Sequence, residues 1–186
     1  MPKSSILGSA VVPLRFVFFM WLCFFLEYNY QWNISQYGIQ PRTLKGLIGI
    51  FLGPLAHGDF YHLVSNTVPL IFLGATLFYF YERIANTIFF RAYFWTNALV
   101  WLFARPANHI GASGVVYGLA FFLIFFGIFR RDFISIVISV VTILLYGSIF
   151  YGVLPGNPNI SWEAHLGGAL VGITSAFSFS AKKRVS

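Results

Sequence analysis

The chain has little charge, and acidic residues are especially scarce. Only 9% of its 186 residues are charged and five are acidic, whereas 58% are hydrophobic and 20% are aromatic. A water-soluble domain of this size could not cover so much apolar surface with so few charges. The composition therefore predicts an integral membrane protein of class all-α, in which residues 1–186 form a single membrane domain.

Cysteine is almost absent, and so is any cluster of basic residues. Cys23 is the single cysteine, which excludes an intrachain disulfide and a metal-binding cysteine cluster. The twelve basic residues are scattered at the ends of apolar runs and form no stripe, so a nucleic-acid partner is not expected. The lipid bilayer is the partner that this pattern predicts.

Apolar runs between charged and loop residues predict six membrane-spanning helices. The first run, residues 16–26, is short enough to be the core of a signal peptide. No small-residue cleavage site follows it, and the aromatic residues Tyr28, Tyr30 and Trp32 are typical of a membrane interface, so a retained helix is favoured. Five spans after a cleaved first segment remain the alternative. The six predicted helices cover about residues 11–31, 60–81, 87–104, 113–129, 133–153 and 163–181.

The basic residues also predict an orientation. With the amino terminus inside, nine of them fall on inner segments and three on outer ones, which favours two cytoplasmic termini in a prokaryotic cell (inner) membrane. The inner residues are Lys3, Arg15, Arg83, Arg91, Arg130, Arg131, Lys182, Lys183 and Arg184, and the outer ones are Arg42, Lys45 and Arg105.

Three polar side chains lie near the outer ends of different predicted helices. His62, Ser113 and His165 stand at the starts of the second, fourth and sixth spans, which all run inward in this topology. Ionisable residues in lipid are costly and mark functional pathways. A serine beside an imidazole is an activated nucleophile. The pattern predicts a serine hydrolase whose active site lies in a hydrated cavity within the outer half of the bilayer.

The spacing around the serine predicts close helix packing. Ser113 and Tyr117 are four residues apart and share a face, so the aromatic ring could pack beside the imidazole of His165. Small residues at this spacing let two backbones approach, as a hydrogen bond of about 3 Å requires. The two small-residue pairs are Gly114 with Gly118 and Gly168 with Gly172.

The same reasoning predicts an oxyanion hole and no third catalytic residue. His62 and Asn66, four apart on the second span, and the backbone amide of Ser113 could donate to a developing oxyanion. Glu163 is two residues from His165 and faces elsewhere, while the natural place of Asp59 is the membrane surface. The prediction is a Ser-His dyad whose imidazole is oriented by packing against an aromatic ring.

Taken together, these residues resemble the rhomboid intramembrane serine proteases. The resemblance rests on Gly111-Ala112-Ser113-Gly114 with Tyr117, on His57, His62 and Asn66 in the order His-x4-His-x3-Asn, and on Ala164-His165-Leu166-Gly167-Gly168. It implies a six-helix rhomboid-like bundle with Ser113 as nucleophile, His165 as general base, and His62 and Asn66 in the oxyanion hole.

The resemblance also implies a substrate class. It implies cleavage of a peptide bond in or near a transmembrane segment of another membrane protein, usually beside a small residue, with no cofactor and no metal. His57 would be structural in the first loop. Many members carry a Trp-Arg pair in that loop, where this chain has Ile48 and Gly49 with Arg42 nearby. Residues 32–56 are still expected to form a membrane-embedded loop.

The residue pattern also bears on other possible functions. A non-proteolytic rhomboid-like protein that binds transmembrane helices would typically lack the serine or the histidine. A channel would carry polar residues along the full depth of several spans, and only Thr96 and Asn97 stand apart in this way. A zinc site at His57, Asp59 and His62 lacks the HExxH pattern. His109 is expected at the surface, and substrate is expected to enter sideways near the fifth span.

Overall fold

The computed structural model describes residues 5–181, and this part of the chain is helical apart from loops and one isolated bridge. Two short 3-10 helices, Ser35–Tyr37 and Gly53–Leu55, flank the second α-helix. The α-helices are α1 (Ile6–Tyr30), α2 (Leu44–Leu52), α3 (Phe60–Phe80), α4 (Glu82–Phe103), α5 (Ser113–Arg130), α6 (Phe133–Tyr146), α7 (Ile149–Gly152) and α8 (Trp162–Ser180).

Three of these helices, α1, α3 and α5, are long and apolar enough to cross a membrane by length and composition. The helix α6 is apolar but has only 14 residues, about 21 Å at 1.5 Å per residue. The helix α4 has 22 residues but includes charged residues such as Glu82 and Arg91, which lower its apolar character. The structure therefore fits a multi-pass membrane protein, while the count of six spans stays a prediction.

Several predicted helix boundaries differ from the observed ones. The first helix begins five residues early because the Ser5 side chain caps it, accepting from Gly8 N at 3.0 Å. The helix α4 begins at Glu82, directly after α3. The helix predicted over residues 133–153 is observed as two helices. Around Gly147, a weak helix former, the backbone bonds change to the i to i−3 type, and α6 and α7 become separate helices.

The first helix is part of the packed bundle. Its Pro13 lies against Gly74 of α3, and Trp21 Nε1 donates to Thr67 Oγ1 at 3.1 Å. Met20 is fully buried in the shared core. The orientation of the bundle stays a prediction, and Lys3, Lys182, Lys183 and Arg184, on which that prediction partly depends, lie outside the described residues.

The central helix of the fold is α5, which packs most extensively on α8. The predicted glycine pairs form this contact: a Cβ atom on Gly168 would collide with the carbonyl oxygen of Gly114 and lie 3.0 Å from Gly118 N. A Cβ atom on Gly172 would lie 2.5 Å from Gly118 O. The two backbones therefore touch without intervening side chains, which brings the first turns of α5 and α8 together.

The segment around α2 is fastened to α4 by polar contacts that the sequence did not reveal. Arg42 Nη1 donates to Leu102 O at 3.1 Å and to Ala104 O at 2.9 Å. In return, Trp101 Nε1 donates to Thr43 O at 2.9 Å. These bonds satisfy carbonyls at the end of α4 that have no partner within the helix. They attach this loop to α4 in a chain that has Ile48 and Gly49 in place of the Trp-Arg pair.

Asn97, whose position was unexplained by the sequence, also connects α4 to the segment around α2. It is buried in α4, and its Nδ2 donates to Ile50 O in α2 at 3.2 Å. Thr96 beside it is also buried, with its methyl group against the position where Gly114 would carry a Cβ atom. Both residues serve packing between elements, and neither lines the main cavity.

We expect Arg42→Ala to lower the melting temperature in detergent micelles by roughly 2–4 °C. The substitution leaves carbonyl oxygens at the end of α4 without their donor, at a cost of about 1 kcal/mol for a solvent-exposed contact. Lys45→Ala is the control, because it removes an equal charge close by, in the first turn of α2, without touching the end of α4. Equal melting temperatures for the two variants would contradict the role given to Arg42.

Candidate active site

Ser113 is the first residue of α5, at a sharp turn from the preceding loop. Gly111 has a φ of +104°, a conformation that favours glycine, and a Cβ atom there would lie 2.5 Å from the His62 ring. Val115 N and Val116 N both donate to Ala112 O and so begin the helix. The amide of Ser113 precedes these bonds and has no intrahelical partner. The amide of Ser113 is therefore free for other contacts.

His165 lies in the first turn of α8, and its ring is held on three sides. Nε2 is 2.9 Å from Ser113 Oγ, although the two residues are 52 positions apart in sequence. Nδ1 is 2.9 Å from the carbonyl oxygen of Gly152, at the end of α7. The ring of Tyr117 stacks on the imidazole with centroids 4.0 Å apart and planes 6° apart. The ring has little freedom to rotate away from the serine.

Glu163 is the acidic residue nearest to His165 in sequence, but its contacts are with Arg105. Its Oε1 lies 3.5 Å from Arg105 Nη1 and accepts from Arg105 N at 3.4 Å. Arg105 Nη2 also donates to Pro158 O at 2.7 Å and to Ile160 O at 2.9 Å, which fixes the loop before α8. The ion pair therefore positions this loop and the start of α8, with the carboxylate directed at arginine.

The helix α3 brings His62 and Asn66 to the same cavity as Ser113 and His165. Asp59 caps this helix, accepting from His62 N at 2.8 Å. Asn66 is buried, and its Nδ2 donates to His62 O at 2.9 Å. An amide group has two N–H donors, so one is used within the helix and the second remains for a ligand.

The cavity that these residues share has a volume of about 870 Å³. It lies at the end of the bundle where α3, α5 and α8 begin. Polar groups from these helices share its wall with apolar and aromatic side chains from α5, α6 and α7, among them Val116, Tyr146 and Ile149. A volume of this size is in the range of ligand-binding clefts in proteins, and the hydroxyl of Ser113 lies at its wall.

Comparison with known protein families agrees with this geometry. Residues 45–182 match the Rhomboid domain. The chain belongs to the rhomboid family. The matched region begins in α2 and includes all of Ser113, His165, His62 and Asn66.

Several curated proteins are similar over nearly the whole chain. An uncharacterized protein of Mycobacterium tuberculosis is 32% identical over 200 residues, which cover 98% of this chain and 79% of that protein. An uncharacterized protein of Mycobacterium leprae is 31% identical over 193 residues, covering 95% and 73%. RHOMBOID-like protein 12, mitochondrial, of Arabidopsis thaliana is 27% identical over 194 residues, covering 91% and 56%.

In this rhomboid domain, His57 links the first loop to the start of α5. Its Nδ1 lies 3.2 Å from Leu55 O, and Ala112 N donates to its Nε2 at 3.5 Å. Burial, with the neighbouring His62 adding to it, lowers the pKa of His57 to about 4. The ring is therefore neutral near pH 7 and connects a donor and an acceptor of the main chain.

The surface position predicted for His109 is wrong. The residue is only 3% exposed, with Nδ1 2.6 Å from Ser161 Oγ and Nε2 3.0 Å from Arg105 O. Its backbone pairs with Ile39 in both directions, at 2.8 Å and 2.9 Å. The error arose because a polar loop between two helices is usually solvated. In this rhomboid the loops before α5 and before α8 contact each other and bury the His109 side chain.

Gly152, Arg105 and Ser161 contribute to the site region but were not singled out from the sequence. Each acts through a main-chain contact or a loop contact across the fold. A basic residue followed by proline, or a glycine near a loop, has no spacing pattern that indicates such a partner. These positions could be found only once the helices were placed.

Proposed function

We propose that the protein is an intramembrane serine endopeptidase that uses Ser113 and His165 as a catalytic dyad. The observation that carries the proposal is the 2.9 Å separation between Ser113 Oγ and His165 Nε2 at the wall of a cavity inside an apolar helical bundle. This is the distance at which an imidazole can accept the proton of a hydroxyl as it attacks a carbonyl.

The chemistry follows from the position of each group. Ser113 Oγ attacks the carbonyl carbon of a substrate peptide bond, and His165 Nε2 takes its proton and delivers it to the leaving amine. Water then hydrolyses the acyl-enzyme ester with the same imidazole as base. The amide of Ser113, the imidazole of His62 and the second N–H of Asn66 stabilise the oxyanion, where one donor contributes about 10² to 10³ in rate.

The proposed substrate is a transmembrane or juxtamembrane segment of another membrane protein, and no cofactor is required. A soluble substrate is disfavoured because apolar side chains cover much of the outside of the bundle, including exposed residues of α1 and α6. The alternative, a non-proteolytic rhomboid-like protein that binds transmembrane helices, gives no reason for an activated serine. That alternative predicts binding of a helix without covalent reaction.

The proposal is tested by covalent labelling of the purified protein in detergent. A fluorophosphonate should label the wild-type protein, and Ser113→Ala and His165→Ala should both lose the label. Ser148→Ala is the matched control, because this serine also lines the cavity but has no imidazole partner among the described contacts. Equal labelling of all four proteins would exclude the dyad, and no labelling of the wild-type protein would favour the binding alternative.

We also propose that substrate enters between α3 and α6. The first half of α6 is held in place, since Ser139 Oγ donates to Ile124 O at 2.8 Å and Tyr81 Oη donates to Ser135 Oγ at 3.1 Å. At its other end Tyr146 lines the cavity and meets Phe72 of α3, with ring centroids 5.9 Å apart. In this proposal the contact between the two rings closes the cavity on that side, and rings can part without loss of a hydrogen bond.

Linking α3 to α6 should therefore block large substrates selectively. In a Cys23→Ala background, the Phe72→Cys/Tyr146→Cys variant treated with a short thiol cross-linker should cleave a transmembrane reporter at least about tenfold more slowly. Labelling by the small fluorophosphonate should stay unchanged. The single Phe72→Cys variant treated in the same way is the control. Undiminished cleavage by the linked protein would place substrate access elsewhere.

A further inference from the structure

The second nitrogen of the His165 ring has a partner that the dyad description leaves out. Nδ1 lies 2.9 Å from the carbonyl oxygen of Gly152. A carbonyl oxygen can only accept a hydrogen bond, so Nδ1 must carry the proton in this contact. The neutral ring then has its lone pair on Nε2, the atom that faces Ser113 Oγ. The contact selects the tautomer that can act as a base.

The Gly152 carbonyl is free to make this bond. Gly152 is the last residue of α7, and the last carbonyls of a helix have no partner within it. The other acceptor that the sequence places near His165 is the carboxylate of Glu163, which is directed at Arg105. In serine hydrolases with a third residue, that residue holds the imidazole in the correct tautomer and stabilises the imidazolium.

Position 152 also requires glycine for reasons of space. A Cβ atom there would collide with Tyr117 Oη, and it would lie 2.9 Å from Tyr117 Cζ and 3.4 Å from His165 Nδ1. The backbone of α7 therefore lies directly against the edge of the stacked Tyr117 and His165 rings. A larger residue would have to displace either α7 or one of these rings.

We propose that the main-chain carbonyl of Gly152 acts as the third, positioning member of the site, fixing the tautomer of His165 and supporting its positive charge during proton transfer. The inference rests on the proposed function. It assigns to a backbone oxygen the task that a carboxylate has in a triad, and it makes catalysis depend on the placement of α7.

The first test is spectroscopic and does not need turnover. In Ser113→Ala protein with ¹⁵N-labelled histidine, the ring signals of His165 are assigned by their loss in His165→Asn. We expect a protonated Nδ1 and an unprotonated Nε2, and a shift toward the Nε2-protonated form when Gly152→Ala is added. Gly156→Ala is the control, because a Cβ atom there would make only an ordinary contact, 4.0 Å from Leu154 O.

The second test measures reactivity. Gly152→Ala in the otherwise wild-type protein should react with the fluorophosphonate roughly 10- to 100-fold more slowly, the effect of losing one hydrogen bond to a charged group. Gly156→Ala should react at the wild-type rate. An unchanged tautomer in Gly152→Ala, or an Nε2-protonated ring before any change at 152, would overturn the proposal. If the wild-type protein is not labelled at all, the result would instead count against the proposed function.

A backbone change keeps the proposal testable if Gly152→Ala does not fold. Replacing the amide between Gly152 and Val153 by an ester weakens the Gly152 carbonyl as an acceptor and adds no side chain. The same ester between Gly156 and Asn157 is its control. The first ester should shift the His165 tautomer and the second should not, and identical spectra for the two would refute the role of the carbonyl.

Discussion

Ser113→Ala, His165→Ala and the double variant are expected to lose the same factor in cleavage of a transmembrane reporter, about 10⁴ to 10⁶ in kcat. Residues that act as one unit in proton transfer are strongly non-additive, because removing either one already disables the shared step. In the proposed dyad, the 2.9 Å contact between Ser113 Oγ and His165 Nε2 couples the two side chains in this way. The measurement is the initial rate of reporter cleavage in liposomes.

The control for this prediction is again Ser148→Ala, which removes a cavity-lining hydroxyl and should retain most of the activity. Two independent residues would give a double variant whose loss is the product of the single losses. That outcome, or a single variant with near-normal cleavage, would contradict a shared catalytic step. Thermal melting of all the proteins checks that each is folded.

A second large effect is expected at the contact between α5 and α8. Gly168→Ala should destabilise the protein by about 3 kcal/mol, the upper end of the range for overpacked cores, and should abolish cleavage. The added Cβ atom would meet backbone atoms of Gly114 and Gly118, which cannot rotate away. The two helices would separate, and the distance between Ser113 and His165 would grow beyond a hydrogen bond.

The neighbouring glycine provides a matched control for this substitution. A Cβ atom on Gly167 would lie 3.6 Å from Thr96 O and 3.7 Å from Leu99 Cβ, which is ordinary contact. Gly167→Ala therefore gains helix propensity, up to about 1 kcal/mol, without a collision. Thermal melting should rise or stay level for Gly167→Ala and fall for Gly168→Ala. The same change in stability for both variants would refute the backbone contact.

The sequence was informative where a local pattern determines a contact. Glycines at spacing four predicted the close approach of α5 and α8, and Ser113 and Tyr117 at the same spacing predicted the ring beside His165. Family membership also followed from motifs in order, and the match over residues 45–182 confirms it. In the two predictions from spacing, helical periodicity alone determines which side chains share a face.

The sequence was uninformative where a contact depends on main-chain atoms or on the path of a loop. Nothing in the pattern relates Arg42 to the end of α4, or Gly152 to His165, because these contacts join side chains to carbonyls of distant residues. His109 was misjudged for the same reason. The break after Tyr146 was missed because Gly147 lies within an apolar run that reads as one continuous helix.

The glycine contact between α5 and α8 cannot be repaired by a compensating substitution on the partner helix. In most helix pairs an enlarged side chain on one partner can be offset by a smaller one on the other. Here Gly168 faces Gly114 and Gly118, which are already the smallest residues available. No second substitution on α5 can make room for an alanine at position 168. A suppressor of Gly168→Ala would therefore have to move an entire helix.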